Sequence, residues 1–268
     1  MKKNTKYKKY ISVVGGFIFL IIIIFLGFFL LFHNRLDINS NEVSLIYNLI
    51  EHDINYCDGL VFYSDKQVNS NTINYDQKMC LSYLRSNNYE EEYLSTVKKK
   101  DYCAINKKEL FLKDEDTDKC RITKINIEQL NKNYKELFNE NITDYNDFRL
   151  NGENVCIFNE KDNTYYCGSS IERKVEVGWS PTSYRFIQKA IKKGNNIIIF
   201  DYLLLINNNI CYEDINKTIN EKCTNILNDN PKKEINIKFV KKYGSLYKHE
   251  FSKNEEGNYY WQKSTKIK

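Results

Sequence analysis

Ser180 to Ile206 reads SPTSYRFIQKAIKKGNNIIIFDYLLLI, and the fold turns on whether its first half is helix or strand. Ser180-Pro181 with Gly194 would bracket a helix as cap, first residue and stop. Alternatively, Gly194-Asn195-Asn196 is the turn of a long hairpin whose second arm, Ile197 to Ile206, is an apolar, β-branched strand. The hairpin is preferred, because it sets a long buried strand beside a partner rather than alone. On that reading the C-terminal half is an antiparallel sheet.

The neighbouring stretches agree with a sheet. SLYKHEFSKNEEGNYYWQKS, from Ser245, is a hairpin with Tyr247, His249 and Phe251 on one face, Asn254 to Gly257 as the turn, and Tyr259 to Trp261 returning. ENVCIFNEKDNTYYCGS alternates around Lys161-Asp162-Asn163, with Cys156 and Cys167 placed to staple it. Before it, Asn126-x-x-Gln129 opens a helix, IEQLNKNYKELF, whose apolar stripe is Leu130, Tyr134, Leu137 and Phe138.

Further upstream the pattern is mixed. Asn39-x-x-Glu42 reads as a capping box for a helix through VSLIYNLIEHD, with Val43, Ile46, Tyr47 and Ile50 on one face. DGLVFYSD reads as a short strand. KMCLSYLR and YEEEYLSTVKKK read as helical pieces broken at Asn87-Asn88, with Glu90 to Glu92 ahead of Lys98 to Lys100 as the helix dipole favours. ELFL, between Cys103 and Cys120, is strand-like and precedes an acidic turn.

At the N-terminus Ile11 to Phe32 is ISVVGGFIFLIIIIFLGFFLLF, with one hydroxyl and no charge. As a helix it reaches about 33 Å, enough for a hydrocarbon core of about 30 Å. Lys2, Lys3, Lys6, Lys8 and Lys9 precede it, whereas His33, Arg35, Asp37 and Glu42 follow. That lysine excess predicts a cytoplasmic N-terminus and an exported remainder. A cleaved signal peptide is the rival reading, but the run is long for one and LFHNRLDINS offers no small-x-small cleavage site.

The formal net charge of +5 belongs to this tail. Five of the 40 basic residues sit there, and the 35 that remain balance the 35 acidic ones. No basic stripe for releasing phosphate counterions is left, so nucleic acid is excluded as a partner. The 21 Tyr go with abundant Lys, Asn and Ile, residues that share A/T-rich codons, so they do not mark a glycan-binding surface.

All eight cysteines, at 57, 80, 103, 120, 156, 167, 211 and 223, follow the apolar run. An even count in an exported chain predicts disulfides in an oxidising compartment. The simplest connectivity joins neighbours: Cys57 with Cys80, Cys103 with Cys120, Cys156 with Cys167, and Cys211 with Cys223. Cys57–Cys120 with Cys80–Cys103 stays open as an alternative for the first four.

The expected fold class is α+β, with an N-terminal transmembrane helix, a helix/disulfide unit and an antiparallel-sheet domain. The expected divisions are 1–10 as a basic tail, 11–32 as the signal anchor, 33–120 as a disulfide-braced, mainly helical unit, and 121–268 as the sheet domain. The closing YKHEFSKNEEGNYYW, with KKGNNIIIFDYLLLI before it, resembles an ending found in uncharacterised, single-pass, exported proteins of low-GC Gram-positive-type bacteria. That resemblance covers 121–268 and implies a location and an architecture, without an activity. A helix followed by a curved antiparallel sheet is also similar to the cone-shaped nuclear-transport-factor-like fold, an analogy that carries no function.

Motifs for chemistry are few. Ser95-x-x-Lys98 and Ser245-x-x-Lys248 match the S-x-x-K of penicillin-binding enzymes, but neither K-T-G nor S-D-N accompanies them. Asp114, Asp116 and Asp118 alternate as in a calcium loop, yet Lys119 stands where Gly is needed and Ile125 where Glu is needed. The histidines are His33, His52 and His249, with no HExxH and no CxxC, so no zinc site is expected. His249 reads as a hydrogen-bonded sheet residue beside aromatics. As the base of a Cys–His hydrolase it would need a free thiol. Asn141-Ile142-Thr143 and Asn216-Lys217-Thr218 are glycosylation sequons, relevant only in a eukaryotic source.

No catalytic residue, cofactor or metal ligand is therefore assigned. The expectation is a membrane-tethered, extracytoplasmic binding or scaffolding protein with an envelope partner or ligand left unnamed. The alternative is a cell-envelope hydrolase without a recognisable motif.

Overall fold

The hairpin reading of 182–206 is the one that forms. Thr182–Lys193 and Asn196–Asn207 pair antiparallel from Lys193↔Asn196 out to Thr182↔Ile206, with a bulge between Ile187 and Lys189. Gly194, at φ +58°, supplies the left-handed turn conformation that an L side chain resists. A helix over 182–193 would have left the apolar arm that follows without this partner.

The computed structural model describes residues 34–51, 57, 61–86, 89–97, 101–105, 108–115, 117–172 and 181–268. The sequence-predicted membrane anchor, 11–32, lies outside them. In chain order come β1 (Arg35–Leu36), α1 (Asn41–Tyr47), β2 (Val68–Asn69), α2 (Tyr75–Leu84), β3 (Glu90–Ser95), β4 (Tyr102–Ile105) and β5 (Lys108–Leu112). Next are β6 (Lys119–Asn126), α3 (Ile127–Phe138), β7 (Phe148–Arg149), β8 (Asn154–Asn159), β9 (Thr164–Ser169), β10 (Thr182–Lys193) and β11 (Asn196–Asn207). Then follow β12 (Ile210–Tyr212), α4 (Glu221–Asp229), α5 (Ile237–Tyr243), β13 (Ser245–Lys253) and β14 (Tyr259–Lys266).

The class is α+β. The main sheet runs β1-β10-β11-β13-β14-β2, with β12 also paired to β11. A second sheet runs β3-β6-β9-β8-β7, and β4 pairs with β5. Among the described residues, every strand pairing of the two larger sheets is antiparallel.

Strand β11 explains why Ile197 to Ile206 is apolar on both faces. Ile197, Ile199, Leu203 and Leu205 enter the main core, while Leu204 enters a smaller core under α4 and α5, with Leu227, Phe239 and Val240. The main core takes residues from both sides of position 120: Val43, Phe62 and Met79 meet Leu130, Tyr247 and Trp261 there. Helix α3 supplies Leu130, Tyr134, Leu137 and Phe138 to this core and is capped by Asn126, whose side chain accepts from the Glu128 N–H.

Three local expectations change. Glu90–Ser95 is strand rather than helix. Its burial alternates, Leu94 leans on a second core built around Cys103, Phe111 and Ile122, and Glu91 and Glu92 pair with Arg121 and Lys124 of β6. Cross-strand partners thus outweigh the local helix signal. Val61–Tyr63 is a 3-10 turn rather than part of a strand, and it drives Phe62 and Tyr63 into the core. Helix α1 is capped by Ser40 rather than Asn39, the Ser40 hydroxyl accepting from the Val43 N–H.

Four disulfides join Cys57–Cys80, Cys103–Cys120, Cys156–Cys167 and Cys211–Cys223, so the crossed pairing of the first four is not adopted. Cys156 and Cys167 are direct partners in the β8–β9 register, and Cys211–Cys223 ties β12 to α4. Four bridges suit an oxidising environment.

Candidate functional site

Register places three polar residues on one line across the main sheet. His249 lies opposite Ser264 on β14 and opposite Ile199 on β11, which makes Asp201 its diagonal neighbour on the same face. That face is the one turned to the core. His249 Nε2 lies 2.9 Å from Asp201 Oδ1, and His249 Nδ1 lies 2.6 Å from Ser264 Oγ. Trp261 Nε1–H donates to the same Ser264 oxygen at 2.9 Å.

The other carboxylate oxygen of Asp201 is also occupied. Tyr63 donates its hydroxyl to Oδ2 at 2.7 Å, and Tyr47 donates to it as well. The 3-10 turn at 61–63 brings in Tyr63, and the last residue of α1 is Tyr47. The cluster therefore pins α1 and that turn to the centre of a sheet formed some 150 residues later.

Asp201 and His249 have no exposed surface, and Ser264 is 1% exposed. Burial acts to raise the Asp201 carboxyl. The electrostatic attraction of His249 and the hydrogen bonds from His249, Tyr47 and Tyr63 outweigh it, and the group is held below its ordinary value. Burial pushes both tyrosine hydroxyls well above their usual value, with Asp201 adding to the effect, so they remain donors.

These residue types match those of a Ser–His–Asp triad, but the placement differs. In a working triad the serine oxygen must reach a substrate carbonyl, with an oxyanion site nearby. Here Ser264 is covered, receives the Trp261 N–H and meets the imidazole through Nδ1. The arrangement satisfies buried polar groups and offers no approach to a substrate.

A second polar cluster closes the neighbouring edge of the core. Lys266 Nζ bridges Asp65 at 3.0 Å and Asp214 at 3.2 Å, and the Asn216 side chain donates to Asp65. Burial acts to raise Asp214, but the Thr218 backbone N–H and Lys266 hold it below the ordinary carboxylate value.

The motif residues named from the sequence do not converge. Ser245 and Lys248, three apart on a strand, point to opposite faces; the first donates to Glu213 O and the second pairs with Glu250 at 2.6 Å. Ser95 ends β3, and Lys98 lies outside the described residues, as do His33, His52 and Asp116. Lys113 reaches Asp101 at 3.1 Å and, in the acidic turn, Asp118 at 3.9 Å. Each of the eight cysteines is in a disulfide, which leaves no thiol for His249 to activate.

Sequence reasoning singled out His249 but missed Asp201, Tyr47, Tyr63 and Ser264. The available signal was parity. In IIIFDYLLL the acid occupies the phase of Ile197, Ile199 and Leu203, so it had to be buried and had to find a partner. Compared with protein-family models, curated proteins and solved structures, the chain matches none.

Proposed function

We propose that this chain is a membrane-tethered, extracytoplasmic binding or scaffolding module. The Ile11–Phe32 stretch is the single-pass anchor, the lysine tail stays in the cytoplasm, and the disulfide-braced sheets lie outside, toward an envelope partner or ligand. The observation that carries this reading is the sealed Asp201–His249–Ser264 cluster. Its acid–base groups are used up in cross-linking the core, which favours a rigid surface for binding over a site for turnover. The four disulfides support the extracytoplasmic side. The cone-shaped, nuclear-transport-factor-like reading belongs to the same proposal and rests on α3 leaning against β14.

Reporter fusions at Lys268 test the topology. An alkaline phosphatase fusion is expected to be active and a cytosolic β-galactosidase fusion inactive; the reverse result overturns the reading. For the binding role, a membrane-impermeant lysine cross-linker applied to intact cells should give a discrete adduct larger than the chain. Only uncross-linked chain would argue against a scaffold.

A further inference from the structure

The end of the main sheet from which the N-terminal chain departs can be located from register. β1 is antiparallel to β10, with Leu36 opposite Ala190 and Arg35 opposite Ile191, and the Lys192 N–H donates to Asn34 O at 2.7 Å. Followed backwards from Leu36 to Asn34, the chain moves toward Lys193 and Gly194. The described chain therefore begins beside the β10–β11 turn. The β13–β14 turn lies at the same end, because the Lys253 N–H donates to Asn195 O at 3.1 Å.

We propose that this end of the sheet, with its two turns, rests on the anionic lipid surface that holds the chain's own apolar stretch. The inference depends on the tether described under the proposed function. It follows first from reach. By sequence only His33 stands between Phe32 and Asn34. At about 3.5 Å per extended residue, β1 starts within roughly 10 Å of the end of the apolar run. A domain joined so closely meets the head groups with the end that carries the joint.

Charge points the same way. Arg35, Lys193 and Lys253 are exposed at this end, and among the described residues no carboxylate lies within ion-pair distance of them. The acids nearby are mostly engaged: Glu256 pairs with Lys135 at 2.7 Å, and Glu42 lies 3.8 Å from Lys192. Glu255, exposed in the β13–β14 turn, opposes them. Basic residues held at a head-group surface are attracted to acidic lipid and lose that attraction within a screening length. Shape agrees as well. A Cβ placed on Gly194 or Gly257 would meet nothing within 4 Å, so the space around both turn glycines is open.

The test uses the full chain in lipid nanodiscs, either phosphatidylcholine alone or phosphatidylcholine with a third phosphatidylglycerol, followed by amide hydrogen exchange. Amides of Gly194, Asn195, Glu255 and Glu256 are expected to exchange several-fold more slowly in the anionic discs. High salt, or Lys193→Glu with Lys253→Glu, should abolish the difference while leaving exchange in β11 unchanged. If the chain enters both discs and those amides exchange alike, the lipid contact is overturned and the tether stands. If protection appears on β3 or elsewhere instead, the wrong face has been assigned. If the chain enters neither disc, the tether reading falls and this inference falls with it.

Discussion

Asp201 is the residue on which most of the packing argument converges. It lies in a fully covered site and holds contacts to β13, α1 and the 61–63 turn at once. Removing one partner of such a pair strands the other, so Asp201→Asn should cost about 3–5 kcal/mol in urea unfolding. Tyr63→Phe deletes one donor while Tyr47 remains, and should cost about 1–2 kcal/mol. The pH dependence follows from the lowered Asp201 carboxyl. A depressed folded value stabilises the native state above the unfolded carboxyl value of about 3.9, and the benefit is lost as pH falls through the folded value. Urea midpoints measured from neutral pH downward should therefore drop more steeply in acid for the wild type than for Asp201→Asn. Equal slopes would show that Asp201 titrates alike folded and unfolded. At this scale the sequence shows only half of the site: His249 is visible between Tyr247 and Phe251, but its partners come from strands and turns far away in the chain.

Among the elements, hairpins were the most legible and isolated short pieces the least. The β8–β9 and β13–β14 hairpins carry their own turns and alternating faces, so local rules place them. Glu90–Ser95 is different. Three successive acids ahead of lysines resemble a helix start, whereas antiparallel pairing with β6 makes them a strand, with Arg121 and Lys124 of β6 taking up two of the acids. Close backbone approach between elements is equally hidden. Gly244 follows α5, and a Cβ there would sit 2.6 Å from Leu203 O and 2.8 Å from Val240 O. Gly244→Ala should therefore push α5 away from β11 and lower stability by about 2–3 kcal/mol, read from the thermal midpoint. At α1, Ser40→Ala removes the acceptor for the Val43 N–H and should cost about 1 kcal/mol in the same measurement. A loss from Asn39→Ala larger than that from Ser40→Ala would contradict the observed cap.

For the whole molecule, the bridges span separations of 23, 17, 11 and 12 residues. Each closes a loop worth about 3 kcal/mol in the chain-entropy model. Alkylation of the denatured, unreduced chain should label no thiol, and labelling after reduction should reach all 8 cysteines; labelling before reduction would contradict the four bridges. Reductant should also lower the thermal midpoint well beyond the effect of any single substitution above. The sequence alone determined the features that depend on nearest neighbours and composition. These are the uncharged run at 11–32, the turns at 161–163 and 254–257, the α3 stripe and an even cysteine count. The tertiary structure decided which reading of 182–193 holds, because a β-strand exists only through a partner, and that partner is β11. It likewise decided that Asp201, His249 and Ser264 meet, since their contact depends on the register of three strands, which no local window of residues encodes.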